Sequence, residues 1–485
     1  MKKQVFNPYL PSYEYIPDGE PRVFGNRLYI YGSHDRFNGD MYCQNDYVCY
    51  SAPVDDLSDW RYEGVIYQKT QDPFNPDGAY NMYAPDLVQG LDGRYYLYYG
   101  MDFYSRISVA VADTPTGPFA FLDYVRHADG RIYGDDLEND PFQFDPGVLV
   151  DDDKRIYLYT GFAPAPEIVA KVKEIMGISL TKIGNHVVEL EADMITLKSA
   201  PKQVIPNVWD GKGTSFEGHE FFEASSMRKL NGKYYFIYST FLSHELAYAI
   251  SDSPTEGFVF GGVLHSNADL GVNGYKVPQN YWGNNHGSIA SINGKYYIFG
   301  HRQTNQTEFS RQGVAEELQM TEQGHFNQAE LTSCGLNGGP LKGKGTYPAA
   351  IACHLMGPNG AIKSVEVATV ELKKEHPYIT QELADGSLED SQYICNMRDG
   401  ALAGYKYFEF SQLGEVTVET SGTGQGQLVF SLEKGGEAIA SVDVSESQDW
   451  VTSKANVTSN VTGKQALYVT FKGQGSLNFK CFRLD

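Results

Sequence analysis

Apolar and polar residues alternate along most of this chain in short runs, the period of a half-buried β-strand rather than of a helix. The runs fall into a repeated unit: a polar head, a short apolar stretch, a tight turn and an aromatic strand. FFEASSMRKLNGKYYFIYS (221–239) is the fullest copy, with Glu223 as head and Tyr234 and Tyr235 in the aromatic strand. Asp18 precedes VFGNRLYIYG, Asp86 precedes VQGLDGRYYLYY, Asp145 precedes VLVDDDKRIYLYT and His286 precedes IASINGKYYIFG. Four turns carry Asn26, Asp92-Gly93, Asn231-Gly232 or Asn293-Gly294, residue types that accept the positive φ of a two-residue hairpin, and the third unit uses the acidic run Asp151 to Asp153. The heads stand 59 to 78 residues apart. A repeat of that length made of hairpins predicts radial repetition, and five copies predict a five-bladed β-propeller.

The outer halves of the units repeat as well. ISVAVADTPTGPFAF (107–121) and LAYAISDSPTEGFVFGG (246–262) share a strand, an Asp-x-Pro-Thr turn and a second strand. One helix interrupts the third blade: Pro166 opens it, Ile168, Val169, Val172 and Ile175 form an apolar stripe, and Gly177 closes it. Its place just after the inner strands allows it to flank a central cleft or to cover a blade edge. The fifth blade runs to about residue 331, and CGLNGGPLKGKGTYP (334–348) reads as a wrapping connection. From about residue 360 the pattern becomes Val/Thr/Ser alternation, in VEVATVEL, KYFEF, VTVETS, QLVFSLE, SVDVS, ALYVTFKG and LNFKCFRL. These short strands predict a β-sandwich. The chain is thus expected to be all-β, with a propeller over 1–355 and a sandwich over 360–485.

Composition narrows the partners. Thirty-five tyrosines and 50 glycines in 485 residues suit strands and turns, and a net charge of −22 disfavours nucleic acid and anionic membranes while leaving neutral sugars open. The amino terminus lacks the apolar core of a signal peptide, and no stretch approaches a membrane span. A cytoplasmic location is expected. The six cysteines show no metal spacing and are expected to be free thiols.

If each head opens an inner strand at the same end, Asp18, Asp86, Asp145, Glu223 and His286 converge on the propeller axis. Like charges gathered there repel, and burial adds to the cost, so such a cluster points to acid–base catalysis or a metal. Ser33-His34-Asp35 is no hydrolytic triad, because consecutive strand residues face opposite ways, although His34 or Asp35 can still line a pocket.

The motifs FFEASSMRKLNGKYYFIYS, MYAPDLVQGLDGRYYLYY, FDPGVLVDDDKRIYLY and NNHGSIASINGKYYIFGHR, in this order over residues 5 to 335, resemble glycoside hydrolase family 43. That family comprises five-bladed propeller arabinofuranosidases, β-xylosidases and arabinanases. The carboxy-terminal part, from GYKYFEF to ALYVTFKG, is similar to family 6 carbohydrate-binding modules, although the family's Asn-x-Asp-Trp ending reads Asn478-Phe479-Lys480-Cys481 here. The resemblance implies an inverting hydrolase. Asp18 is the implied general base, with Glu20 as a rival because the family's Asp-Pro reads Asp-Gly-Glu-Pro. Asp145 is the implied modulator of the acid's pKa, and Glu223 the implied general acid. Acid and base should stand roughly 6.5–9.5 Å apart. His286 is implied to help hold a Ca²⁺ or another divalent ion, largely through water. Arg302 or Arg311, the latter favoured, is implied to bind sugar hydroxyls. Phe37, Tyr83, Phe222 and Trp282 are possible sugar walls, and Asp86 is expected to support binding or a catalytic neighbour. Trp450 reads as sandwich core. The expected activity is exo-acting release of arabinose from arabinoxylan or arabinan oligosaccharides, that is, from hemicellulose fragments. A β-xylosidase is the first alternative and a non-catalytic glycan-binding propeller the second.

Overall fold

The computed structural model describes residues 4–176, 180, 182–364 and 374–485. The propeller strands come in chain order. Blade I holds β1 (Glu20–Phe24), β2 (Arg27–Tyr31), β3 (Tyr47–Pro53) and β4 (Arg61–Tyr67). Blade II holds β5 (Asp86–Gln89), β6 (Tyr95–Met101), β7 (Tyr104–Ala112) and β8 (Ala120–Tyr124). Blade III holds β9 (Gly147–Val150), β10 (Ile156–Phe162), β11 (Gly184–Leu190) and the short β12 (Lys202–Gln203). Blade IV holds β13 (Phe221–Leu230), β14 (Lys233–Thr240), β15 (Glu245–Ser251) and β16 (Val259–Ser266). Blade V holds β17 (Ile289–Ile292), β18 (Lys295–Gln303) and β19 (Arg311–Leu318). All pairings within blades are antiparallel, and a parallel bridge between Gly19 and Gly287 joins the last inner strand to the first. The expected hairpin turns are present: Asn231 and Gly232, like Asn293 and Gly294, take φ of +51°, +79°, +50° and +78°.

Between blades the sheets bury apolar faces. Five clusters fill the five gaps, exemplified in ring order by Tyr31 with Leu97, Val109 with Leu158, Tyr159 with Phe236, Tyr248 with Ile298, and Ile30 with Phe299. A buried tyrosine hydroxyl needs a partner, and several find one in the next blade. Tyr31 donates to Pro115 O at 2.7 Å, Tyr98 to Met194 O at 2.6 Å, Tyr159 to Pro254 O at 2.8 Å and Tyr235 to Gly324 O at 2.7 Å. Pro115 and Pro254 are the prolines of the two Asp-x-Pro-Thr turns, which gives that repeat its structural meaning. The ring closes on blade V through Asn7. Its side-chain amide accepts from Ala315 N–H (3.0 Å) and donates to Ala315 O (3.1 Å), taking the place of a ladder rung along β19.

Helix α1 (Pro166–Met176) forms as predicted; its expected stop, Gly177, and the side chains of Val172 and Ile175 lie outside the described residues. The strand expected at VEVATVEL (365–372) also lies outside them. The sandwich begins earlier than the expected boundary. Within and just after the Gly-rich connection lie β20 (Leu341–Lys342), β21 (Gly345–Pro348) and β22 (His354–Met356). The remaining strands are β23 (Tyr378–Gln381), β24 (Gln392–Met397), β25 (Leu402–Phe410), β26 (Glu415–Gly422), β27 (Gln425–Ser431), β28 (Ala438–Val444), β29 (Ser447–Asn456), β30 (Gly463–Gln474) and β31 (Leu477–Leu484). One sheet runs β20-β25-β30-β27-β28 with β22 on β25, the other β23-β24-β31-β26-β29 with β21 on β31. The connection is therefore part of both sandwich sheets, because its backbone donors and acceptors are satisfied there. Trp450 lies outside the sandwich core, on the mostly exposed strand β29, with its Nε1 donating to Glu382 at 2.6 Å.

The two folds are joined by polar bonds as well as by chain. Lys406, buried, donates to Asp269 and Glu330 of the propeller at 2.9 Å each. Arg302 points the same way, with Nη1 donating to Ala350 O (2.8 Å) and Nη2 to Gln312 (2.9 Å).

Candidate active site

Four of the five heads meet at one end of the axis. Asp18, Asp145, Glu223 and His286 all line a cavity of about 360 Å³. Backbone conformation aims them. Asp18 and Asp145 each stand two residues before an inner strand with φ of +56° and +44°, a conformation aspartate tolerates better than most residues. Glu223 lies inside β13, where the register with β14 slips on either side of it and Ala224 takes φ +68°. Such bulges re-aim a side chain. Asp145 Oδ2 accepts the Ala224 N–H at 3.1 Å, so the head of blade III holds the bulge of blade IV.

The fifth head is out of phase. Asp86 is the first residue of β5, and the position equivalent to Asp18 and Asp145 is Ala84, which lines the cavity. Asp86 is fully buried below the floor, where Arg22 Nη2 reaches both of its oxygens at 2.7 and 2.5 Å and Val148 N–H donates at 2.8 Å. It does not reach a bound sugar. Glu20 occupies the same level. It is 1% exposed, takes Arg228 Nη2 at 2.5 Å and does not line the cavity, so it is no rival to Asp18. Two guanidinium groups thus neutralise the axis beneath the site.

Asp18 is held as an anion. Burial alone would raise its pKa, but Arg311 Nη1 at 3.0 Å and His301 Nδ1 at 3.2 Å hold the carboxyl well below the usual carboxylate range. Arg311 is itself fixed by Asp35, with Nε and Nη2 donating at 2.8 and 2.9 Å, and its guanidinium lies 4.8 Å from the Tyr42 ring centre. Glu223 has the opposite environment. Among the described residues its carboxyl has no hydrogen-bond partner, and burial, then the Asp18 charge, push its pKa up to about 8. Burial and the neighbouring Glu223 and Asp18 charges raise Asp145 as well. The cavity therefore presents one ionised carboxylate and, across it, a carboxylic acid that keeps its proton at neutral pH, the pairing that general acid–base chemistry requires.

The walls are aromatic. Tyr83 and Phe222 line the cavity as expected, with Tyr42, Phe103, Phe144, Phe162 and Phe241, none of which the repeat singled out. Helix α1 does flank the cleft, through Ile168, with Ala165 just before its first turn. Three expected wall or sugar contacts are elsewhere. Phe37 packs on Tyr15 at 5.5 Å and donates its N–H to Asp385. Trp282 stands behind the wall with Lys363 over its ring at 5.0 Å. Arg302 is directed into the domain junction because His301, its neighbour on the strand, takes the inward position. Asp35 sits behind Arg311, and His34 bonds Asp46 O instead of the cavity.

His286 lines the floor, 3.6 Å from Asp145, and burial pushes its pKa down to about 4, so the imidazole is neutral. Among the described residues no three His, Cys, Asp or Glu side chains come together as a metal cluster. Ca²⁺ takes six to eight oxygens, while Asp18, Glu20 and Asp86 are already paired with arginines. An ion here would be carried mostly by water, with His286 among the described donors beside it.

Residues 17–326 match the model of glycosyl hydrolases family 43, and residues 373–485 that of the family 6 carbohydrate-binding module. The chain is 49% identical over 487 residues to a xylosidase/arabinosidase of Thermoclostridium stercorarium, covering 100% of this chain and 99% of that protein. It is 31% identical to a β-xylosidase of Xylanibacter ruminicola, over 64% of this chain and 96% of that one. Among solved structures it is similar to a GH43_1 enzyme from Xanthomonas citri complexed with xylotriose (25% identity, TM-score 0.52, 67% of this chain and 93% of that one). The Bacillus subtilis family 43 arabinoxylan arabinofuranohydrolase, at 18% identity and TM-score 0.51, shares the fold over 99% of this chain and 97% of its own. With Asp18 and Glu223 facing one cavity on the axis of a five-bladed propeller, this chain belongs to glycoside hydrolase family 43 and is a glycoside hydrolase.

Proposed function

We propose that the enzyme releases a terminal α-L-arabinofuranosyl residue from arabinoxylan or arabinan oligosaccharides with inversion. The observation that carries this reading is the contrast between Asp18, paired with Arg311, and Glu223, which has no hydrogen-bond partner among the described residues, in one cavity closed at its floor. A terminal sugar enters such a pocket and its leaving group points out, which is exo action. Glu223 gives its proton to the glycosidic oxygen as the C–O bond breaks. Asp18 accepts a proton from a water molecule that attacks the anomeric carbon from the opposite face. Glu223 ends ionised and Asp18 protonated, and exchange with solvent restores both. Asp145, through its bond to Ala224, keeps Glu223 in place. Arg311 acts chiefly on Asp18, because most of its donors face Asp18 and Asp35. A divalent cation beside His286, held mainly by water, would add positive charge near the ionised carboxylates.

A second reading, β-xylosidase, is supported by the relatives' names, one a β-xylosidase and one a xylosidase/arabinosidase. The two separate by initial rates on 4-nitrophenyl α-L-arabinofuranoside and 4-nitrophenyl β-D-xylopyranoside, with NMR of the first-formed anomer. Turnover should vanish in Asp18→Ala. In Glu223→Ala it should vanish on natural oligosaccharides, whose leaving groups need a proton. Near-normal activity in either variant, or a retained anomer, defeats the assignment.

A further inference from the structure

The two family matches leave residues 327–372 between them, and this joining segment reaches the active-site cavity. Lys363 lines the cavity. The backbone around it is fastened to the connection leading into blade V: Trp282 N–H donates to Ile362 O at 3.3 Å, Ser364 N–H donates to Trp282 O at 2.7 Å, and Trp282 and Lys363 form a parallel bridge. Ser364 Oγ donates to Glu308, another cavity residue, at 3.0 Å. The approach is close enough that a Cβ on Gly283 would stand 2.3 Å from Ser364 Oγ. The segment is seated there by fit, and Lys363 with it.

The cavity has a buried floor and an open rim. Asp18, Asp145, His286 and Arg311 are at most 6% exposed, whereas Ile168 and Phe241 are each 42% exposed. Lys363 is half-buried and its ammonium lies over the Trp282 ring; among the described residues it has no carboxylate partner. An ammonium carries three donors, and one that lines a cavity with four carboxyl groups without pairing to any of them has hydrogen bonds left for a ligand. With the terminal sugar at the floor, the group at the rim is the sugar it is leaving.

We propose that Lys363, with Phe241 and Ile168, forms the leaving-group subsite and is a specificity-determining residue for sugar leaving groups. Lys363 donates to hydroxyl oxygens of that sugar, while Phe241 and Ile168 take its apolar face. The inference rests on the pentosidase reading above. Its test compares a pentose-terminated xylo-oligosaccharide with the 4-nitrophenyl glycoside of the same pentose, whose leaving group offers no sugar hydroxyls. A hydrogen bond from a charged donor supports an expectation of about a tenfold loss of kcat/KM on the oligosaccharide in Lys363→Met, relative to the nitrophenyl substrate. Lys363→Arg should keep most of the preference, and Phe241→Ala should weaken it. Equal losses on both substrates, or none on either, overturn the proposal. Should wild-type enzyme split neither pentoside, the pentosidase reading has failed. Lys363 is then tested by titrating xylotriose into Glu223→Ala enzyme with and without Lys363→Met. About tenfold weaker binding upholds the subsite, and unchanged binding overturns it.

Discussion

Replacing Arg311 by methionine should move the whole pH–rate profile upward. The proposed mechanism needs Asp18 ionised and Glu223 protonated, so activity should be lost below the pKa of Asp18 and above that of Glu223. Arg311 and Asp18 are both nearly inaccessible and 3.0 Å apart at their closest atoms. Taking about 4 Å between charge centres and an effective dielectric of about 20, the guanidinium contributes about 4 kcal/mol to the Asp18 anion. That is about three pH units. His301 and His286 remain beside Asp18, and Asp145 and Glu223, both raised, carry no charge at low pH, so the acid limb should rise by about that amount from its position far below neutrality. Glu223 feels Arg311 too, in the direction that lowers its pKa, against Asp18 and Glu308, which raise it. Its limb, near pH 8 in the wild type, should therefore also move up. The assay is kcat/KM on a nitrophenyl pentoside across pH for wild type, Arg311→Met and Arg311→Lys, with circular dichroism to confirm folding, since the change strands Asp35. Arg311→Lys keeps the charge and should keep most of the acid limb. An acid limb that stays in place or falls in a folded Arg311→Met enzyme would refute the electrostatic account of Asp18.

Other expectations follow from single contacts. Tyr159→Phe removes one inter-blade hydrogen bond and leaves Pro254 O unpaired, which should cost about 1–2 kcal/mol in denaturant unfolding and leave kcat unchanged; no loss of stability would make the repeated tyrosine bond incidental. Exhaustive chelation should lower wild-type activity, with Ca²⁺ restoring it, and His286→Ala should lose that response. An indifferent wild type would leave His286 as a neighbour of Asp145 alone.

The five-unit repeat was legible because each blade must alternate apolar and polar faces and turn tightly, demands that constrain residue type. What the repeat could not show was phase. Asp86 looks like a head by composition, yet β5 starts on it where β1 and β9 start two residues after Asp18 and Asp145, and that offset sends its carboxylate below the floor. Glu223 reaches the cavity through a bulge, a backbone event with no signature beyond the residues themselves. Arg302 and Arg311 could have been separated from sequence: alternation along β18 puts Arg302 opposite His301, so only one of the pair can face the axis. The aromatic walls and Lys363 are set by long-range packing, which a period of two or of sixty residues does not encode. The early start of the sandwich was hidden for a similar reason, since strands of two to four residues in a Gly-rich run carry too little alternation to read.

The tyrosine bonds between blades use a side chain on one partner and main chain on the other. Any residue whose loop keeps its path can supply the acceptor, so a proline serves in two blades, a methionine in a third and a glycine in a fourth. Selection then has to preserve only the donor and the course of the loop. Blades can drift apart in sequence and still dock in the same order, which leaves their inner ends free to carry an aspartate in two blades, a glutamate in a third and a histidine in a fourth.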